Sequence, residues 1–285
     1  MSKKSPFVVS AEWLVKHLKD PGLSIIDGSW YLPAQNRDAR NEYDQAHIPG
    51  AVFFDHDEVV DPDSALPHAL PSPSTFEQHV SAMGINREDT IVVYDGPGMF
   101  TAPRVWWMFR VMGADKVFIL DGGIDNWKAN GHIVTDKPTK IAPTAFVPKP
   151  DLSRVATFSD MSAIVGDPTF QIADARSPGR FSGEEPEPRT GVRSGHMPGA
   201  RNVPVMTLSN NGYLKDLESL RKTLEQAGVD PNRPVVTTCG SGVTAAVISL
   251  ALESLGAVDH RLYDGSWSEW GMRDDTPVET GPPKT

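Results

Sequence analysis

Cysteine is almost absent from this chain: Cys239 is the one thiol in 285 residues. A lone cysteine excludes an internal disulfide and any zinc cluster built on cysteine ligands, and leaves either a packed side chain or a reactive one. Positive charge is also short, with 27 Lys and Arg against 37 Asp and Glu and a net charge of −10. That field repels a phosphate backbone or an anionic bilayer, so neither nucleic acid nor a membrane is an expected partner. Long apolar runs are missing too. The longest, Ala245 to Leu252, contains Ser249 and stops at Glu253, far short of the ~20 residues that cross a bilayer. Lys3 and Lys4 precede only a short mixed stretch that Glu12 interrupts, too little for a secretory core of roughly 7 to 15 apolar residues. A cytoplasmic protein is expected.

What is present is a repeat, and repeats reveal duplicated domains before any element is assigned. His47-Ile48-Pro49-Gly50-Ala51 recurs as His196-Met197-Pro198-Gly199-Ala200, and Asp121-Gly122-Gly123 with Trp127 recurs as Asp264-Gly265-Ser266 with Trp270. Between these landmarks each half carries an apolar strand candidate, a glycine-rich turn and an apolar helix ending at Gly113 or Gly256. Strands are expected at Ser24–Asp27, Ile91–Tyr94, Lys116–Leu120, Gln171–Asp174, Val235–Thr238 and Arg261–Tyr263. Helices are expected at Ser10–Leu18 and Leu217–Ala227. The alternation predicts an α/β fold of two similar domains, each a parallel sheet with helices on both faces. Pro138, Pro143, Pro148 and Pro150 mark an extended linker, giving expected units at 1–137 and 156–285 joined by 138–155.

Right-handed crossovers place strand-to-helix loops at the carboxyl edge of a parallel sheet, where such folds bind ligands. Cys239-Gly240-Ser241-Gly242-Val243-Thr244 is one of them. At the N-terminus of the following helix, several N–H groups can converge on an anion, which favours the nucleophilic thiolate. Gly240 and Gly242 suit the positive φ of a tight nest, and Thr244 is placed to hydrogen-bond back across it. The equivalent loop of the first half has Asp95 in place of the cysteine, so that half cannot do thiol chemistry. Phosphatases with such loops need an arginine six positions after the nucleophile; here Ala245 stands there.

The doubled His-x-Pro-Gly-Ala segments, the Cys239 loop and the ending Tyr263-Asp264-Gly265-Ser266-Trp267-Ser268-Glu269-Trp270 together resemble the tandem-rhodanese sulfurtransferases over nearly the whole chain. Among these the loop is similar to the 3-mercaptopyruvate type. Thiosulfate-using relatives carry Arg and Lys after the cysteine, where Gly240 and Ser241 stand here. The resemblance implies two rhodanese-like domains, the first non-catalytic and the second catalytic, with the active site between them and with neither metal nor organic cofactor. It implies a Cys239 persulfide loaded from mercaptopyruvate with release of pyruvate, then passed to cyanide or to a thiol such as thioredoxin or another small dithiol. Ser241 is expected to assist catalysis, and Gly240, Gly242, Val243 and Thr244 to line the substrate site.

A 2-oxo acid brings a carboxylate, for which arginine is the planar partner. Arg176, Arg180, Arg189, Arg193 and Arg201 crowd one Pro- and Gly-rich stretch, and the resemblance assigns substrate binding to Arg180 and Arg189. His47, with Asp38 to orient it, is a candidate proton relay, while His196 reads as a turn tie. Trp106 to Phe109 read as packing, and Asp264 and Trp267 as anchors of the last loop. Two other readings stay open: thiosulfate as donor, and a non-enzymatic sulfur-carrier or interaction module.

Overall fold

The computed structural model describes residues 3–257 and 259–283. Its strands are β1 (Val8–Val9), β2 (Leu23–Asp27), β3 (Ala51–Phe53), β4 (Thr90–Tyr94), β5 (Val117–Leu120), β6 (Val155–Ala156), β7 (Gln171–Asp174), β8 (Arg201–Asn202), β9 (Ser209–Asn210), β10 (Tyr213–Leu214), β11 (Val235–Thr238) and β12 (His260–Tyr263). The α-helices are α1 (Ala11–His17), α2 (Ala39–Gln45), α3 (Pro73–Ala82), α4 (Ala102–Val111), α5 (Gly123–Ala129), α6 (Phe158–Ile164), α7 (Pro178–Ser182), α8 (Leu217–Gln226), α9 (Ala245–Ser254) and α10 (Ser266–Trp270).

Two parallel five-stranded sheets result, ordered β1-β5-β4-β2-β3 and β6-β12-β11-β7-β8. The orders are the same when the second half is superposed on the first, as the repeat requires. The central strands β4 and β11 are apolar on both faces because helices cover both, and both are buried almost throughout. The strands expected from the sequence are present with ends shifted by at most one residue. The two- and three-residue edge strands β1, β3, β6 and β8 and the β9–β10 hairpin carry too few residues to show a period.

The halves share a central core, and each keeps a further apolar cluster of its own. Helices α4 and α9 pack together, and a continuous apolar cluster runs from Trp106, Met108 and Phe109 to Ala246, Leu250 and their neighbours. Each half also sends its crossover segment into the other. After β3 the chain reaches the second half, where the Leu70 amide donates to Asp264 Oδ2 at 2.7 Å. After β8 the β9–β10 hairpin reaches the first, where the Leu214 amide donates to Asp121 Oδ1 at 2.7 Å. Asp121 and Asp264 are the repeated aspartates, so one joint is made twice. Asp264 therefore docks the opposite half rather than merely anchoring its own loop.

The proline-rich stretch 138–150 forms no regular element but lies strapped to the first half. The Thr144 hydroxyl donates to Ile85 O at 2.7 Å, and Phe146 packs edge-on between Phe76 and Phe109. β6 starts at Val155, inside the segment expected as linker.

Candidate active site

β11 delivers Cys239 to the carboxyl edge of the second sheet, and α9 leaves the loop at Ala245. The α10 region backs the loop. The Cys239 amide donates to Ser266 Oγ at 3.1 Å, Trp267 N donates to Cys239 O at 3.0 Å, and Ser268 donates to Gly240 O through its amide and its hydroxyl. Gly242 has φ +78°, and a Cβ there would sit 2.7 Å from Asp264 O, so the turn requires glycine. Gly240 does not adopt positive φ, contrary to expectation. A Cβ there would meet Arg180 Nη2 at 2.9 Å, the tip of a flexible side chain, so a larger residue would displace Arg180 rather than strain the loop. Thr244 does not bond back across the loop: it precedes α9 with no side-chain cap, and it lines the cleft with Val243.

The two loops spend the same backbone donors differently. In the first half the Asp95 carboxylate accepts from Gly98 N, Phe100 N, Thr101 N and Ala102 N at 2.6, 2.9, 2.6 and 2.8 Å. Burial pushes this carboxyl up from the usual range, and the four N–H groups oppose that push. In the second half, among the described residues, the N–H groups of Ser241 to Ala245 meet no protein acceptor. The first nest is plugged by its own side chain, and the second is open beside Cys239.

Ser241 does not stand alone. Its hydroxyl lies 3.0 Å from His68 Nδ1, and His68 Nε2 lies 3.2 Å from Asp57 Oδ1. Trp30 Nε1 donates to Asp57 Oδ2 at 3.1 Å, and the Trp30 ring meets His68 edge-on at 4.9 Å. This serine–histidine–aspartate file crosses between the halves, with Ser241 from the second and the others from the first. Burial first, then the charges of Arg104 and Arg189, lower the imidazole to about 4. His68 is therefore neutral at physiological pH, able to take a proton or to hold a hydroxyl.

His68 and Asp57 escaped the sequence analysis. They lie in the irregular crossover 54–72, outside every repeated segment and every motif. The available signal was that this polar, proline-rich insertion carries titratable side chains in the half that lacks the cysteine. Conversely, the structure does not bring His47 and Asp38 to the site. His47 is buried against Tyr43, with Nδ1 at 2.7 Å from Tyr43 O and its backbone bridged to Thr135. Asp38 caps α2 by accepting from Asn41 N, so it cannot orient His47. His196 repeats the arrangement, stacked on Phe181 and bridged to Glu279. The His-x-Pro-Gly-Ala repeat is a turn tie in both halves.

Cys239, Gly240 and Ser241 line a cleft of about 390 Å3 between the halves, with Trp30, Leu32 and Phe100 from the first and Arg180, Arg189 and Met206 from the second. Arg180 is held by Glu187 at 2.5 Å. Arg189 has no carboxylate within ion-pair distance among the described residues; burial and the neighbouring Arg180 lower its pKa without discharging it at neutral pH. Arg176 is saturated by Asp174 at 2.6 Å, Glu187 at 2.8 Å and Gly195 O at 2.8 Å, and it stacks on Trp267. Arg193 is spent on backbone carbonyls of the last segment, among them Gly271 O and Thr276 O. Arg201 lies on β8, and the cleft does not include it.

Comparison with known proteins agrees with this arrangement. The rhodanese-like domain model matches twice, at residues 10–130 and 157–273. The 3-mercaptopyruvate sulfurtransferase of Escherichia coli (strain K12) is 42% identical over 272 residues, covering 95% of this chain and 97% of that protein. The thiosulfate sulfurtransferase of Cricetulus griseus is 42% identical over 271 residues, covering 92% of this chain and 91% of that protein. The crystal structure of SseA from Escherichia coli, a 3-mercaptopyruvate sulfotransferase by its own description, superposes with a TM-score of 0.85 at 39% identity, covering 92% of this chain and 98% of that one. With both sheets matched and the cysteine in the second, the chain belongs to the tandem-rhodanese sulfurtransferases.

Proposed function

We propose that this protein moves sulfur from 3-mercaptopyruvate to a thiol or to cyanide through a persulfide on Cys239. The observation that carries the reading is the open nest beside Cys239, set against the plugged nest of Asp95, in a cleft that also holds the guanidinium of Arg189, which meets no carboxylate among the described residues. Residues 1–137 form the non-catalytic unit in this reading, and 156–285 the catalytic one.

Arg189 and Arg180 receive the substrate carboxylate. The Cys239 thiolate attacks the substrate sulfur, an S–S bond forms, and the C–S bond breaks with its electron pair leaving on carbon as the enolate of pyruvate. The ketone spreads that charge, and the Ser241 hydroxyl, turning from the lone pair of neutral His68 Nδ1, donates to the developing enolate oxygen. The substrate's own S–H proton passes to carbon, so pyruvate leaves and the enzyme keeps one extra sulfur as a persulfide anion. The loop amides of Ser241 to Ala245 hold the persulfide anion. An acceptor thiolate then attacks the outer sulfur and Cys239 departs as a thiolate. With no second cysteine, the chain cannot resolve its persulfide internally, which makes an external thiol or dithiol, thioredoxin among them, the acceptor.

Thiosulfate is the second reading, favoured by the similarity to a thiosulfate sulfurtransferase and opposed by the lack of cations at Gly240 and Ser241. Intact mass after mixing with each donor tests both. Wild type should gain one sulfur atom, faster from mercaptopyruvate than from thiosulfate, and Cys239→Ser should gain none. A sulfur adduct on folded Cys239→Ser would overturn the assignment.

A further inference from the structure

The proposed function leaves one buried cation unexplained. Arg104 lies on α4 of the non-catalytic half, 1% exposed, and its side chain crosses to the catalytic half. Nη2 donates to Asp264 Oδ1 at 2.6 Å and to His68 O at 2.7 Å, and Nη1 lies 3.5 Å from Gly242 O in the cysteine loop. The Trp107 ring covers its face at 4.6 Å. Asp264, in turn, accepts the Leu70 amide on its other oxygen. Arg104 and Asp264 thus grip the segment 68–70 at both ends, and between the grips His68 sits at φ +56°. A non-glycine residue enters that region at a cost and stays there only when its surroundings fix it.

The repeat separates what joins the halves from what serves the site. The joint between an aspartate and a leucine amide is made twice, at Asp264 with Leu70 and at Asp121 with Leu214. In the silent half, the second oxygen of Asp121 takes, among the described residues, only Lys4, half exposed, at 3.5 Å. In the catalytic half, the same place is taken by a buried guanidinium that also holds His68 O. On α9 the position corresponding to Arg104 is Val247. Docking therefore does not require this arginine, since the other joint works without one.

We propose that Arg104 is the positioning residue of the Ser241–His68 pair, holding His68 of the first half against Ser241 of the second through the bracket it forms with Asp264. This rests on the relay reading of His68 and Ser241 given above. The groups facing the imidazole are Asp57 and Trp30 from the first-half loops, Ser241 and Arg189 from the second half, His56 nearby on its own crossover, and Arg104 from α4. After burial, Arg104 is the strongest influence keeping His68 down near 4.

The test is a double-mutant cycle of Arg104→Gln and His68→Ala, read by single-turnover pyruvate release from 3-mercaptopyruvate and by alkylation of Cys239 with iodoacetamide. Arg104→Gln should slow pyruvate release by about 10- to 100-fold, the effect of a misplaced catalytic group, with little change in the half-saturating concentration and an unchanged alkylation rate. In the His68→Ala background, it should cost nothing further. The acid limb of the Arg104→Gln rate profile should move up toward the ordinary imidazole value of about 6.5, and Arg104→Lys should recover part of the rate. Equal losses in both backgrounds, or slowed alkylation, would make Arg104 a general structural residue and overturn the proposal. A His68→Ala protein of full speed would sink the relay and this inference with it, whereas a slow His68→Ala with additive Arg104 loss sinks the inference alone. If Arg104→Gln fails to fold, the cycle run with Arg104→Lys decides the same question by the same outcomes.

Discussion

Arg180 and Arg189 stand in one cleft with their charges differently engaged. Glu187 already neutralises Arg180, whose guanidinium lies against Gly240, while Arg189 faces the cleft with no carboxylate partner among the described residues. Removing either should weaken kcat/KM for mercaptopyruvate by about 1.5 to 3 kcal/mol, the worth of a charge-assisted hydrogen bond. The Arg189→Ala loss should fall mainly on KM, and Cys239 alkylation should proceed as before. Unchanged steady-state kinetics in both variants would place the carboxylate elsewhere. Donor choice is proposed to lie with Gly240 and Ser241. Gly240→Arg with Ser241→Lys adds two cations beside the leaving group and removes the hydroxyl held by His68. Sulfite leaves thiosulfate as a compact dianion, so the ratio of kcat/KM values should tilt toward thiosulfate by at least about tenfold, or ~1.4 kcal/mol. An unchanged ratio in a folded double variant would assign specificity to the arginines. Cys239 itself was legible in the sequence from its loop. Its partner His68 was not, because 173 residues separate it from Ser241 and only folding brings the two together.

The two strand-turn-helix units, β4–α4 and β11–α9, show how one element is used twice. Each presents converging N–H groups; in one they are satisfied by Asp95 and in the other they remain for chemistry. Asp95 is thus more than the mark of a silent loop. Asp95→Asn would turn an NH2 group toward donors that need an acceptor, leaving buried N–H groups unpaired at about 1 to 3 kcal/mol. The expected result is an unfolding free energy lower by that amount, read as a lower urea midpoint, with sulfur loading of the folded fraction intact. Equal stability of the variant would show that the nest tolerates a neutral plug. Helices were legible where caps and apolar faces coincide, as in α8, which Asp216 caps through Ser219 N. The edge strands were not, since two residues fix no period and pairing alone makes them strands.

The two halves are held together by the core that α4 and α9 share and by ion pairs across the seam. Glu253 on α9 meets Arg110 of α4 at 2.5 Å and Arg154 at 2.9 Å, with His260 at 3.7 Å. Burial pushes this carboxyl up, yet His260, Arg110 and Arg154 together hold it down at about 2. A folded-state value below the unfolded one contributes stability above an ordinary carboxylate pKa of about 4.3, and that contribution is lost as pH falls toward 2. Wild type should therefore exceed Glu253→Gln in stability near neutral pH, and the gap should shrink between about pH 4.5 and about pH 2, as followed by denaturant midpoints. A gap independent of pH would mean that packing, not charge, is what Glu253 supplies.

The sequence by itself determined the duplicated α/β architecture, the silent first half, the nucleophile and the arginine wall. These are set by local patterns: a repeat, apolar strands four or five residues long, a glycine-rich turn before an apolar helix. Only the tertiary structure decided that His47 is a turn tie, that Gly240 lies against the Arg180 guanidinium, and that His68, contacted by Asp57 and Arg104 of the first half, lies against Ser241 of the second. The reason is physical. Those roles depend on contacts between residues far apart in the chain, and no periodicity or spacing encodes which crossover segment will lie against which loop once the two halves share a central core.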